Sequence, residues 1–138
     1  MLDISGGVCT YSKKAHGTLT FYVNGRKSNF QVKEFACNDG SDTILVDCEL
    51  VEKLQIIREY FKAPVLINSG YRTKTYNTKI GGARSSQHLL GKAADIVVKG
   101  VSPADVCKFA KIIGFRGVGE YKDFTHVDTR TSTSYWKG

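Results

Sequence analysis

The 138-residue chain contains two prolines, one tryptophan and one methionine. So little proline excludes collagen-like and proline-rich linker readings, although glycine is somewhat enriched at 14 residues. No apolar stretch approaches the roughly 18 residues that a membrane-crossing helix needs. Met1 to Ala15 lacks an apolar h-region, so no signal peptide is expected. The four cysteines, Cys9, Cys37, Cys48 and Cys107, include no C-x-x-C pair. That removes the case for a structural zinc knuckle or a thioredoxin motif, and the spacing does not choose among disulfide pairings. Cys107 falls within an apolar helical pattern and reads as a buried free thiol. Basic residues do not cluster either; Lys13-Lys14 is the nearest thing to a run. The net charge of +7 is a weak steering field for anionic partners, or simply a soluble basic surface. With no helix-turn-helix, zinc-finger or RNP-type motif, nucleic acid is not an expected partner.

What is present is the composition of an ordinary globular domain, 41% hydrophobic and 24% charged. One domain spanning 1–138 is expected at this length, with residues 1–25 as an extension of no assigned role. A chain of this size buries about two thirds of its unfolded surface, so it needs no metal merely to fold.

Thr18 to Val23 is β-branched and aromatic, and Asn24-Gly25 follows it. That pair favours a type I′ turn and predicts a hairpin returning through Ser28–Val32. Residues 35–42 read as an irregular loop. Asp47 has the position of an N-cap, after which Leu50, Val51, Leu54, Ile57 and Phe61 recur at helical spacing. Pro64 ends that helix, because proline disfavours helical geometry in the residue before it. Val65 to Ile67 reads as a short buried strand.

Residues 68–87 form a long polar loop with one helical turn near Tyr76; loops of this length in compact domains are usually functional. Ala93 to Val98 is a second buried strand. Ser102-Pro103 opens a second helix as N-cap and first helical residue. Val106, Phe109, Ala110 and Ile113 form its apolar face, and Gly114 stops it. Gly117 to Tyr121 and Phe124 to Thr129 read as two more strands. The pattern is α+β, a small, mainly antiparallel sheet with flanking helices.

Only three histidines exist, His16, His88 and His126. Asp95 lies inside the apolar strand 93–98, and an unpaired buried carboxylate costs several kcal/mol. No lysine or arginine is placed by sequence to neutralise it, so a cation is the candidate partner. Gly91 allows a tight reversal that folds His88 back toward Asp95. Period-two alternation puts His126 and Asp128 on one face of the last strand. Two histidines, an aspartate and an open position make the pattern of a catalytic rather than a structural zinc.

Three motifs occur in order: Ser69-Gly-Tyr-Arg72, then Ser86-x-His-x-x-Gly-x-Ala-x-Asp95, then His126-x-Asp128. Together they resemble the zinc D-Ala-D-Ala carboxypeptidase family. That family includes phage L-alanyl-D-glutamate endopeptidases and VanX-like dipeptidases, and the Hedgehog signalling domain has a related fold. The resemblance covers residues ~30–130 and takes in Glu34-Phe-Ala-Cys37. It implies a Hedgehog/DD-peptidase-like fold and zinc (Zn2+) held by His88, Asp95 and His126. It implies substrate contacts from Arg72, Asn77 and Ser86. Asp123, three residues before the last histidine, is the implied general base, with Asp128 and Glu120 as rivals. The implied activity is that of a zinc metallopeptidase acting as a monomer on the peptidoglycan stem peptide. The implied place of action is the bacterial cell wall, reached by phage-type release from the cytoplasm if the chain is an endolysin. The alternative is a non-catalytic zinc-binding module that binds cell wall or a protein partner.

Overall fold

The computed structural model describes residues 2–3 and 6–138. The chain begins with β1 (Leu2–Asp3), β2 (Val8–Ser12), the single turn α1 (Lys13–His16), β3 (Thr20–Val23) and β4 (Arg26–Gln31). A 3-10 turn at Val32–Phe35 leads to β5 (Thr43–Asp47), which runs directly into α2 (Cys48–Phe61). Then come β6 (Val65–Ser69), α3 (Lys74–Lys79), a second 3-10 turn at Gln87–Leu90 and β7 (Ala93–Val98). The chain closes with α4 (Pro103–Ile112), β8 (Gly117–Glu120), β9 (Thr125–Asp128) and β10 (Ser134–Lys137).

These strands make small sheets, and with the helices they give the expected α+β class. The largest has five strands in the order β10-β8-β9-β7-β6, antiparallel throughout except for the parallel β10–β8 pair. β3 and β4 are the expected hairpin. Asn24 and Gly25 have φ of 52° and 73°, the left-handed pair that a type I′ turn requires. β1 pairs in parallel with β3, and β2 pairs antiparallel with β5.

The two predicted long helices form as expected. α2 buries Leu50, Val51, Leu54 and Ile57, and ends at Lys62 in left-handed conformation, two residues before Pro64. Ser102 Oγ accepts from Asp105 N at 3.2 Å to cap α4, which buries Val106 and Ala110 and the free thiol of Cys107. α2 packs on β3 to β7 and α4 on β7 to β9, so one apolar cluster runs from Phe21 to Val127. Each large side chain fully buried there contributes about 1.5–3 kcal/mol relative to exposure.

Three features differ from expectation. β5 pairs with β2, so residues 8–12, read as no element in sequence, supply a strand to the fold. Asp47 stands at the N-cap of α2 but makes no cap bond; its carboxylate instead accepts from Thr129 Oγ1. β10 is a further strand, paired with the same β8 that pairs β9 on its other side.

The register of the five-stranded sheet sets up the site. Ser69 lies opposite Asp95, Asp95 opposite His126, His126 opposite Gly119, and Gly119 opposite Trp136. Directly opposed residues share a face. One row across the sheet therefore presents Ser69, Asp95, His126 and Trp136 to the same side.

Candidate metal centre

His88 enters from the second 3-10 turn. Ser86 Oγ accepts from His88 N at 3.2 Å and caps the turn. Gly91 ends it at φ 72°, a conformation that disfavours other residues. A Cβ there would also lie 2.5 Å from the Leu45 carbonyl oxygen of β5. The reversal inferred from Gly91 is thus imposed by backbone packing, and it delivers the imidazole above the row formed by β7 and β9.

His88, Asp95 and His126 are respectively 2%, 9% and 9% exposed. One ligand atom from each lies within 4.8 Å of the other two. His88 Nε2 is 3.3 Å from Asp95 Oδ1, and His126 Nδ1 is 2.9 Å from the same oxygen. Every ligand is held from behind. His88 Nδ1 is 2.7 Å from the Gly70 carbonyl oxygen. A carbonyl only accepts, so that nitrogen carries the hydrogen and Nε2 is left as the donor atom. His126 Nε2 is 2.7 Å from Asp128 Oδ2. Arg72 Nη2 donates to Asp95 Oδ2 at 3.2 Å. Metal-binding histidines and carboxylates are oriented by such outer partners. Two imidazoles and a carboxylate so arranged fit a divalent zinc-type ion with an open coordination position.

The electrostatics follow from this packing. Burial would raise the Asp95 carboxyl, but the adjoining His126 and His88 imidazoles outweigh it and hold Asp95 well below the usual carboxylate range. Burial would likewise lower His126, yet its bonds to Asp128 and Asp95 push it up. Asp128 is fully buried and held low, despite burial, by Arg130 and His126. Arg130 grips it with Nε at 2.8 Å, Nη2 at 2.6 Å and its backbone N at 3.1 Å.

The three ligands open onto a cavity of about 380 Å³. Arg72 and Ser86 line it, as expected for groups that meet a substrate. Asn77 does not. Its amide is buried, with Oδ1 accepting from Arg72 Nη1 at 3.2 Å and Nδ2 donating to the Ala83 carbonyl at 2.9 Å. It braces Arg72 and the 80–86 loop from behind the wall. The three carboxylates expected as proton acceptors also lie elsewhere. Asp123 sits in the turn between β8 and β9 and lines a separate cavity beside Val98 and Pro103. Glu120 faces away with Lys137, and Asp128 is wholly occupied by His126 and Arg130. Among the described lining residues, Asp95 is the only carboxylate.

The expectation that no basic residue reaches Asp95 is corrected by Arg72. It lies 23 positions away in sequence but beside Asp95 in space, because Ser69 of β6 is paired with Asp95 of β7. Sequence reasoning also missed Tyr121, Phe124, Arg130 and Trp136 in the cavity wall. A signal for them exists in the Gly-Val-Gly of β8. A Cβ on Gly117 would fall 2.0 Å from an Asp128 carboxylate oxygen, and one on Gly119 2.5 Å from the Trp136 indole. These two glycines leave room for groups that the neighbouring strands supply.

Fold and site together give a candidate metal site, two histidines and one aspartate that could hold one ion at the floor of an open cavity. The pattern of the Peptidase M15 family matches residues 28–128, and the chain belongs to that family. Over 84 residues it is 33% identical to the zinc D-Ala-D-Ala carboxypeptidase of Streptomyces albus G, covering 54% of this chain and 32% of that protein. Over 75 residues it is 33% identical to the peptidoglycan L,D-endopeptidase MepK of Escherichia coli strain K12, covering 49% of this chain and 41% of that one. The matched segment is thus less than half the length of either relative.

Proposed function

We propose that the chain is a zinc-dependent peptidase that hydrolyses peptide bonds of bacterial cell-wall peptidoglycan. The observation that carries this reading is the buried His88, Asp95 and His126 group, each member held by its own outer partner and all three open to one cavity. His88 Nε2, Asp95 Oδ1 and His126 Nδ1 would hold the ion. When bound there, zinc supplies a water of lowered pKa and a Lewis acid for the scissile carbonyl.

The chain's own residues do the rest. The Gly70 carbonyl holds the His88 hydrogen on Nδ1. Asp128 accepts from His126 Nε2 and fixes the ring plane. Arg72 holds Asp95 Oδ2 by a hydrogen bond and offers its remaining N–H groups to a substrate carboxylate or carbonyl, a role that suits a planar donor fork. Ser86 offers a hydroxyl at the rim. The names of both relatives support a stem peptide with D-residues as the substrate class. The same reading includes a DD-peptidase and Hedgehog-like arrangement of the five-stranded sheet. It also includes a single monomeric unit acting at the wall, with phage-type release as one route there.

One observation favours a second reading. With no carboxylate but Asp95 among the described lining residues, a non-catalytic zinc module that binds wall peptides fits the same ligand set. Mass spectrometry of purified wall peptides incubated with the protein, with and without a chelator, separates the two. Chelator-sensitive cleavage establishes the peptidase, and the fragment masses name the bond. Binding without cleavage by zinc-loaded protein establishes the module.

A further inference from the structure

We infer that Tyr121 is a catalytic hydrogen-bond donor of this site, set to hold the carbonyl oxygen of the scissile bond as negative charge develops on it. The inference rests on the peptidase reading and adds a residue that none of the sequence motifs contains.

Tyr121 lines the cavity of His88, Asp95 and His126. Its hydroxyl oxygen accepts from Trp136 Nε1 at 2.9 Å. An indole N–H only donates, so the tyrosine's own hydrogen must point elsewhere. Among the described residues that hydrogen meets no protein acceptor. The ring is fixed as well, stacked on Phe124 with centroids 4.4 Å apart and planes 7° from parallel. Trp136 lies with its ring centroid 5.1 Å from that of His126, which ties the pair to a metal ligand. The hydroxyl is therefore held in place at the cavity wall with its hydrogen unspent and an acceptor site already filled. Fixed donors of this kind stabilise an oxyanion without reorganising at the moment of reaction. The step needs no proton from Tyr121. The water oxygen bonds to the carbonyl carbon, the carbon–nitrogen bond breaks, both water hydrogens end on the leaving nitrogen as the ammonium product while the new acid leaves as carboxylate, and the phenol keeps its hydrogen throughout. Trp136 acts through Tyr121 and is a positioning residue.

The test is steady-state kinetics on a wall peptide cleaved by the zinc-loaded wild type. Tyr121→Phe removes only the hydroxyl. Its kcat should fall about 10²–10³-fold, the usual loss for one such donor, with KM within about threefold because the bond strengthens only in the transition state. Zinc content should stay stoichiometric. A phosphinic peptide that mimics the tetrahedral state should bind the variant more weakly by a similar factor, while the cleavage product binds it unchanged. Trp136→Phe should lose kcat, and adding it to Tyr121→Phe should cost little more. A Tyr121→Phe enzyme with kcat within threefold of wild type overturns the assignment and leaves the peptidase reading standing. A wild type that cleaves nothing overturns both.

Discussion

Replacing Asp128 by asparagine tests the site through a residue that touches neither metal nor substrate. The change keeps the volume and removes the charge. Asp128 accepts bonds from Arg130 Nε, Nη2 and backbone N and faces His126 Nε2, all within 3.1 Å. Breaking a buried ion pair costs about 3–5 kcal/mol. The Arg130 side chain is 27% exposed, so water takes over part of its solvation, and about 2–3 kcal/mol is expected. At about 2.1 cal/mol/K per residue, 138 residues have an unfolding entropy of about 290 cal/mol/K. The metal-free variant should then melt about 7–10 °C lower. Loss of an outer partner also weakens metal binding, by about 10–100-fold. Calorimetry of the metal-free protein and a zinc titration against a competing chelator measure the two effects separately. A variant with unchanged Tm and zinc affinity would refute the claim that Asp128 holds His126 in place.

Asp123→Asn should leave peptidase activity within about twofold of wild type, since the side chain lies outside the cavity; a loss beyond tenfold in peptide-cleavage assays would restore Asp123 as the proton acceptor. His88→Ala or Asp95→Ala should abolish stoichiometric zinc by elemental analysis, and zinc retained in either sinks the ligand assignment. Gly119→Val should displace the Trp136 indole and quench or shift its fluorescence, the chain's only tryptophan signal; an unchanged spectrum would contradict the packing described. The metal-free protein should also be most stable in mildly acid solution as far as this cluster governs it. Asp95 and Asp128 have pKa values depressed below their ordinary 3.8, so their contribution is present above about that pH and lost as pH falls through the folded values. His126 is raised above its ordinary 6.5, so its contribution is present below about that pH and lost as pH rises through the folded value. Zinc affinity should run the other way and rise with pH as His126 gives up its proton, which a zinc titration at several pH values reads directly.

The parts of the fold legible in sequence were those written in local chemistry. α2 and α4 carried helical spacing with stop signals, the β3–β4 hairpin carried Asn-Gly, and β7 carried an apolar run around one aspartate. β2, β5 and β10 were not legible, because each pairs with a strand whose identity depends on topology. Neither Val8 to Ser12 nor Ser134 to Lys137 has a turn of its own to mark a partner. The members of the candidate ligand group were readable because a buried aspartate and two histidines are scarce enough to stand out. The Arg72–Asp95 pair and the Tyr121–Trp136 pair were not readable, since both arise from side-by-side register rather than from spacing along the chain. Where Asp123 lies was not readable for a related reason: it is three residues from His126 in sequence, but the β8–β9 turn puts it on the wall of another cavity.

The pairing of β10 with β8 has a consequence for the order in which the molecule becomes competent. All three members of the candidate ligand group precede Thr129 in sequence. Part of the wall comes from later residues: Arg116 binds Glu49 and the Thr129 and Arg130 carbonyls, and the strand beyond them places Trp136 over Gly119. On the peptidase reading, the ion site and the far wall of the cavity are therefore contributed by separate stretches of one polypeptide. A protease that nicks the exposed residues 131–133 would leave a protein that still binds its ion with an unfinished chamber around it.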